Sequence, residues 1–157
     1  AGVVNAASIA AASPTDALVY GAEDLAGDLG ATRTDPSEGV LAHARERVLV
    51  AARAASVDAI DTHYPAYEDD EGLRAAAADA LAMGYDGKLA IHPRQVPILD
   101  AAFTPSDERV AWAKGVLTAR EEAAAADEAV FVVDGEMIDA PQIRRAQRIL
   151  DRVDATD

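Results

Sequence analysis

A short apolar run, Ala17-Leu18-Val19-Tyr20, ends in Gly21 and Ala22 and then in two adjacent acids, Glu23 and Asp24. A run of this length is too short for a typical helix and predicts a buried strand. Helical patterning flanks it, over residues 1–12 before and 38–55 after. A strand set between helices implies a parallel sheet or an α/β barrel. In such folds the carboxyl ends of the strands carry the chemistry, and Glu23 and Asp24 stand at that end. A hard cation such as Mg²⁺ takes oxygen ligands, commonly one or two carboxylates with substrate oxygens. Two acids in this place also serve simply as a cap for the next segment or as solvated surface.

The chain has 157 residues, enough for a sizeable core. It has no cysteine, which excludes disulfides and thiolate metal sites. The first twelve residues are apolar, but they lack a basic region and are too few to cross a bilayer. A soluble, cytoplasmic protein with no membrane partner is the expectation. Ala1-Gly2-Val3-Val4 runs straight into helical pattern without an initiating methionine or an entry strand. The chain is therefore expected to continue a longer polypeptide.

The net charge is −14, with only Lys88 and Lys114 beside twelve arginines. The acids are spread along the chain rather than gathered in a tail. That favours a salt-adapted, halophilic surface kept hydrated by carboxylates over a dedicated acidic binding face. A nucleic acid partner is not expected, because the basic footprint is missing. Clustered arginines leave room for an anionic substrate.

The remaining pattern predicts a buried helix over 3–12, a break at Ser13-Pro14-Thr15-Asp16, and the first strand over 17–20. A loop containing Arg33 is expected over 23–36, and Ser37 and Glu38 can begin a helix reaching about Ala55. The second strand is read over 57–61, followed by an acid-rich loop over 67–71. Gly72-Leu73 leads into an alanine-rich helix that Gly84 closes. The third strand is read over 88–91, with a helix over 94–101 that has proline in its first turn. Ser106 caps a long helix, Asp134-Gly135 marks a hairpin, and Pro141 opens the last helix. Three strand-helix units are fewer than half of an eightfold barrel.

Several motifs stand in a specific order along the chain: Gly21-Ala22-Glu23-Asp24-Leu25; Ile60-Asp61 with Tyr64; Asp69 with Gly72-Leu73; Gly87-Lys88 with Ile91-His92-Pro93 and Gln95; Phe103 with Pro105-Ser106; and Asp134-Gly135-Glu136-Met137-Ile138-Asp139-Ala140-Pro141. In this order and spacing the chain resembles the HpcH/HpaI aldolase family, in the branch of citrate lyase beta subunits and malyl-CoA lyases. The resemblance covers essentially the whole chain.

The resemblance implies an α/β fold: the C-terminal part of a (β/α)8 TIM barrel, namely its last three strand-helix units, plus a C-terminal helical and hairpin extension. The barrel portion is expected over 1–104 and the extension, serving a neighbouring subunit's site, over 105–157. The implied activity is Mg²⁺-dependent carbon–carbon cleavage or formation of a 3-hydroxyacyl-CoA such as malyl-CoA, citramalyl-CoA or citryl-CoA. The implied assembly is a homo-trimer or hexamer. By the same resemblance Asp24 is a metal ligand and Asp139 the catalytic acid. Glu23, His92 and Pro93 are placed at substrate. The resemblance makes Asp24 the second metal-ligating carboxylate; the first, a glutamate, is expected just upstream of Gly2, and a substrate-contacting arginine in an earlier strand. The alternatives are a malyl-CoA thioesterase and a non-catalytic acidic scaffold of the same fold.

Cleaving such a thioester removes the hydroxyl proton, breaks the carbon–carbon bond and leaves an enolate that must gain a proton at carbon. A placed acid supplies that proton. A frame of Met137, Ile138, Ala140 and Pro141 is expected to bury Asp139 and raise its pKa. By spacing, Asp139 equally fits an N-cap for the helix at Pro141. Lys88 suggests a Schiff-base aldolase, but its place at the start of a strand favours a structural role. His63 and Tyr64 are read as pocket-lining, Trp112 as core or interface, and Met83 and Met137 as packing.

Overall fold

A computed structural model of the chain describes residues 2–32, 39–125 and 130–154. Arg33, Ser37 and Glu38 lie outside the described residues. The chain divides into two compact units, Ala1–Phe103 and Thr104–Asp157.

The first unit is a three-stranded parallel sheet in the order β1 (Ala17–Val19), β2 (Asp58–Asp61), β3 (Gly87–Lys88). Leu18 pairs with Ala59, and Asp61 with Lys88. Helices α1 (Ala6–Ala10), α2 (Ala22–Leu29), α3 (Gly39–Ala55), α4 (Asp70–Met83) and α5 (Val96–Phe103) complete it. Side chains alternate across a strand, and Leu18 and Ala59 point into the core that α3 closes with Ala44, Val48, Leu49 and Ala52. Ala52, Ala59 and Ala80 are wholly buried. These small residues let helices approach the sheet closely, which explains the alanine richness.

The strand expected over 88–91 is only the pair Gly87–Lys88. β2 ends at Asp61, whose carbonyl accepts the Leu89 N–H at 3.0 Å and so forms the last rung. The Gln95 side chain then takes the Ile91 N–H at 2.9 Å, and the chain turns into a 3-10 segment, Pro93–Gln95. The helix expected to be buried over 3–12 is also shorter, and Ala6 and Ala10 are its buried residues, against the core that α3 helps form. Val4 is 72% exposed, so the apolar character of this helix is not matched by burial on all sides.

The loop expected over 23–36 begins instead with α2. Ala22, Leu25, Ala26 and Leu29 follow helical spacing, Glu23 and Asp24 fall in the first turn, and Gly30 closes the helix at φ 64°. Acids in a first turn complement the helix dipole, and a left-handed C-cap suits glycine. α4 likewise starts before Gly72: Asp69 is its N-cap and accepts the Gly72 N–H at 2.9 Å.

The second unit holds α6 (Asp107–Ala125), the antiparallel pair β4 (Phe131–Val133) and β5 (Glu136–Ile138), and α7 (Ala140–Asp154). Asp134 and Gly135 both have positive φ, 51° and 84°, as a tight primed hairpin turn requires. Ala113, Val116, Ile138, Ala146 and Ile149 form its core. Trp112 packs against that core, with the Arg145 guanidinium 5.5 Å above its ring. Met83 packs at the edge of the first core, whereas Met137 is 69% exposed and does not act as packing within this unit.

Candidate active site

Asp24 is exposed in the first turn of α2, directly beyond the carboxyl end of β1. Gly21, the N-cap, has no side chain to offer; a Cβ there would stand 3.3 Å from Asp24 Oδ2. The cap comes from another strand: Thr62, one residue past β2 and buried, accepts the Ala22 N–H on its Oγ1 at 3.2 Å. Glu23 lies beside Asp24 on the same exposed turn. No group of three or more His, Cys, Asp or Glu side chains arranged to hold a metal occurs among the described residues. Asp24 and Glu23 are the two carboxylates this turn presents, the kind of oxygen donor a hard cation takes from protein.

His92 caps the 3-10 segment, its Nδ1 accepting the Arg94 N–H at 3.2 Å. Pro93 sits at the first position of that turn, where a missing N–H costs nothing. The His92 ring lies 5.0 Å from that of Tyr67. Both His92 and Pro93 are exposed at the end of the third strand segment.

Below them the loops tie themselves together. Gln95, buried, donates to the Tyr64 carbonyl at 2.9 Å. The Tyr64 hydroxyl donates to Asp69 Oδ2 at 2.7 Å. The Gly72 N–H and then the Tyr64 hydroxyl hold Asp69 below the usual carboxylate range, and the bond to Asp69 in turn raises the Tyr64 phenol. Arg94 clasps Asp70 through two bonds of 3.1 and 3.2 Å. The motif residues Tyr64, Asp69, Gly72, Ile91, His92 and Gln95 thus shape the loops.

A charged cluster escaped the sequence reading. Asp61, wholly buried, accepts Arg45 Nε and Nη2 at 2.9 Å each and Lys88 Nζ at 2.7 Å. Arg45 also donates to Asp79 at 2.7 Å. Burial works against the Arg45 charge, but the bonds to Asp61 and Asp79 outweigh it and raise its pKa. Burial, and next the Asp61 charge, push the Tyr85 phenol up; its hydroxyl donates to the Arg45 carbonyl at 2.8 Å. The signal was present: Arg45 sits on the apolar stripe of α3 between Leu41 and Leu49. Lys88 stands level with the carboxyl end of β2, not at the far end of the sheet, and the Asp61 ion pair is what gives it a structural role.

This cluster lines a cleft of 530 Å³ together with Tyr20, Leu41, Thr62, Tyr64 and Ala76. Asp61 shares the face of Ala59, which points to the helices, so the cleft opens on the helix side of the sheet. Its charges are paired with one another. Of the residues read as pocket-lining or site residues only Tyr64 borders this cleft; His63, Glu23, Asp24, His92 and Pro93 do not.

In the second unit Asp139 immediately precedes α7. Its N–H donates to Gln142 Oε1 at 3.3 Å and its carbonyl accepts the Ile143 N–H at 3.1 Å, the backbone half of a capping box. The cap position read from spacing is thus present. The expected burial is not: Asp139, Met137, Ala140 and Pro141 are exposed, and of that frame only Ile138 is buried. β5 turns Ile138 inward, which sets its neighbours outward.

No helix among the described residues is long and apolar enough to cross a membrane. The chain is 36% identical over 135 residues to the mitochondrial citramalyl-CoA lyase of Rattus norvegicus, covering 86% of this chain and 40% of that protein. It is 38% identical over 154 residues to the (3S)-malyl-CoA thioesterase of Cereibacter sphaeroides, covering 98% of this chain and 54% of that protein. Among solved structures it is similar to CitE from Mycobacterium tuberculosis in complex with magnesium, acetoacetate and coenzyme A. The TM-score there is 0.73 at 38% identity, over 96% of this chain and 57% of that one. The chain spans about half the length of the curated relatives it matches. The family model for HpcH/HpaI aldolase/citrate lyase matches residues 1–93, and the chain belongs to that family.

Proposed function

We propose that this chain is part of an Mg²⁺-dependent lyase that cleaves or forms the carbon–carbon bond of a 3-hydroxyacyl-CoA. The observation that carries the reading is Asp24: a carboxylate exposed on the first turn of α2, at the strand end where such folds place their chemistry. Relatives that act on CoA thioesters, and a solved relative holding magnesium and coenzyme A, supply the substrate class and the ion.

We read the first unit as the last three strand-helix units of a (β/α)8 barrel. Val19 on the strand β1 is 52% exposed, and Val4, just before α1, and Ile9 on it are 72% and 44% exposed. Parallel sheets are ordinarily covered on both faces, so these apolar side chains suit a sheet that continues into further strands.

Asp24 holds the ion, and Glu23 supports that turn or meets the substrate. His92 and Pro93 shape the rim on which the CoA thioester lies. When bound, Mg²⁺ polarises substrate oxygen as a Lewis acid. Asp139 delivers the proton to the enolate carbon, and removes it in the synthetic direction. We assign Asp139 to a neighbouring subunit's site in a homo-oligomer. Val132 and Met137 are register partners, 66% and 69% exposed, and form an apolar pair beside it. A subunit packed over that pair would supply the burial that Asp139 lacks within its own unit.

The thioesterase is the second reading, favoured by the 38% identity to the Cereibacter enzyme. Two variants of the intact protein test the residue roles. Asp24→Ala weakens Mg²⁺ binding. Asp139→Asn keeps metal binding and assembly but lowers turnover by about 10²-fold or more, the scale of an acid–base contribution. Unchanged Mg²⁺ affinity in Asp24→Ala removes that residue from the site, and lost metal binding in Asp139→Asn refutes its role.

A further inference from the structure

The turn that bears Asp24 is held from outside its own helix. Gly21 contributes no capping side chain, and any side chain there would crowd Asp24 Oδ2 at 3.3 Å. The first N–H of the helix, from Ala22, goes instead to Thr62 Oγ1 at 3.2 Å, forty residues along the chain. Thr62 is 5% exposed and directly follows Asp61. Asp61 is pinned by Arg45 and Lys88 in bonds of 2.9 and 2.7 Å, so the strand end carrying the Thr62 hydroxyl is itself fixed.

We propose that Thr62 is a positioning residue for the metal site: its hydroxyl sets the first turn of α2 and thereby the direction of the Asp24 carboxylate. This rests on the reading of Asp24 as a metal ligand. The division of labour follows from the crowding. A side chain at Gly21 would make a tight contact with the Asp24 carboxylate, whereas the Thr62 hydroxyl, just past β2, bonds the Ala22 N–H while Asp24 stays exposed. Groups that orient a ligand without touching the metal typically change metal affinity by about 10- to 100-fold when removed.

The test is Mn²⁺ binding to the intact protein without substrate, followed by electron paramagnetic resonance, for the parent, Asp24→Ala, Thr62→Val and Thr62→Ser. Thermal melts accompany each variant. The expectation is that Thr62→Val weakens Mn²⁺ binding roughly tenfold while Thr62→Ser, which keeps the hydroxyl, restores it. A residue with a merely structural role would lower the melting temperature in Thr62→Val without moving the affinity. If Asp24→Ala loses Mn²⁺ and Thr62→Val binds it like the parent, the proposal is overturned and the reading of Asp24 stands. If Asp24→Ala binds Mn²⁺ like the parent, the reading itself fails and the proposal with it. Should Thr62→Val fold poorly, Thr62→Ala carries the same expectation.

Discussion

The Asp61 carboxylate, with no exposed surface, accepts Lys88 Nζ at 2.7 Å across the β2–β3 register while Arg45 clasps it from α3. Removing one partner of a buried ion pair leaves an uncompensated charge and typically costs about 3–5 kcal/mol. Asp61→Ala removes the buried carboxylate that Arg45 and Lys88 share, leaving Arg45 its bond to the exposed Asp79, and is expected in that range. Asp79→Ala removes a partner whose side chain is 58% exposed and is expected to cost at most about 1 kcal/mol. Urea denaturation of the two variants checks the contrast; equal losses would refute the account of the cluster.

A side chain at Gly72 must displace the ends of two neighbouring side chains. A Cβ there would lie 2.0 Å from the Tyr64 hydroxyl oxygen and 2.2 Å from Asp69 Oδ2. Gly72→Ala must push both groups aside and break the bond between them. The loss of that bond is read as a lowered midpoint in denaturant. An unchanged midpoint would mean that the Tyr64–Asp69 pair gives way freely.

Asp69 provides a pH signature. Its pKa is lowered in the folded state by the Gly72 N–H and by Tyr64, so it stabilises the fold above its unfolded value and loses that contribution as pH falls through its folded value. The melting temperature of Asp69→Ala should therefore lie below that of the parent at neutral pH. The gap should close below roughly pH 4, the ordinary carboxylate range. A gap independent of pH would assign the loss to the backbone alone.

Much of the local structure was legible because it depends on turn chemistry. Asp134-Gly135 and Gly84 carry positive φ where the sequence places them, and Ser106 accepts the Arg109 N–H at 3.4 Å as a helix cap. α2 was missed because Glu23, Asp24, Gly27 and Asp28 read as turn residues. Yet two of those acids belong to a helix first turn, and the spacing of Ala22, Leu25, Ala26 and Leu29 was available. The third strand was overextended because Leu89 to Ile91 is apolar, while its length is set by where β2 stops. The placing of Asp24 and Asp139 came from the family resemblance. The place of Arg45 on the apolar stripe of α3 hints at its burial, but its partners Asp61 and Lys88, like the cap by Thr62, show in no local pattern, because they depend on which elements the fold brings together.

The exposed pair Val132 and Met137 bears on assembly. If this face is covered in the oligomer, a charge there is expelled from the interface, so Met137→Asp should shift the intact protein towards smaller species in light scattering. Both residues lie outside the buried core of their unit, so the variant should keep the parent's secondary structure in far-ultraviolet circular dichroism. Unaltered molar mass would move the interface elsewhere.

The most direct test of the account is product identity. The intact protein would be assayed in high salt with malyl-CoA, citramalyl-CoA and citryl-CoA, first with Mg²⁺ and then with excess EDTA. Keto acid and free CoA thiol would be measured together. The account predicts a keto acid, formed only with metal and without free thiol: glyoxylate, pyruvate or oxaloacetate according to the substrate. Free thiol without keto acid would establish the thioesterase instead, and no product from any of the three would contradict the lyase assignment.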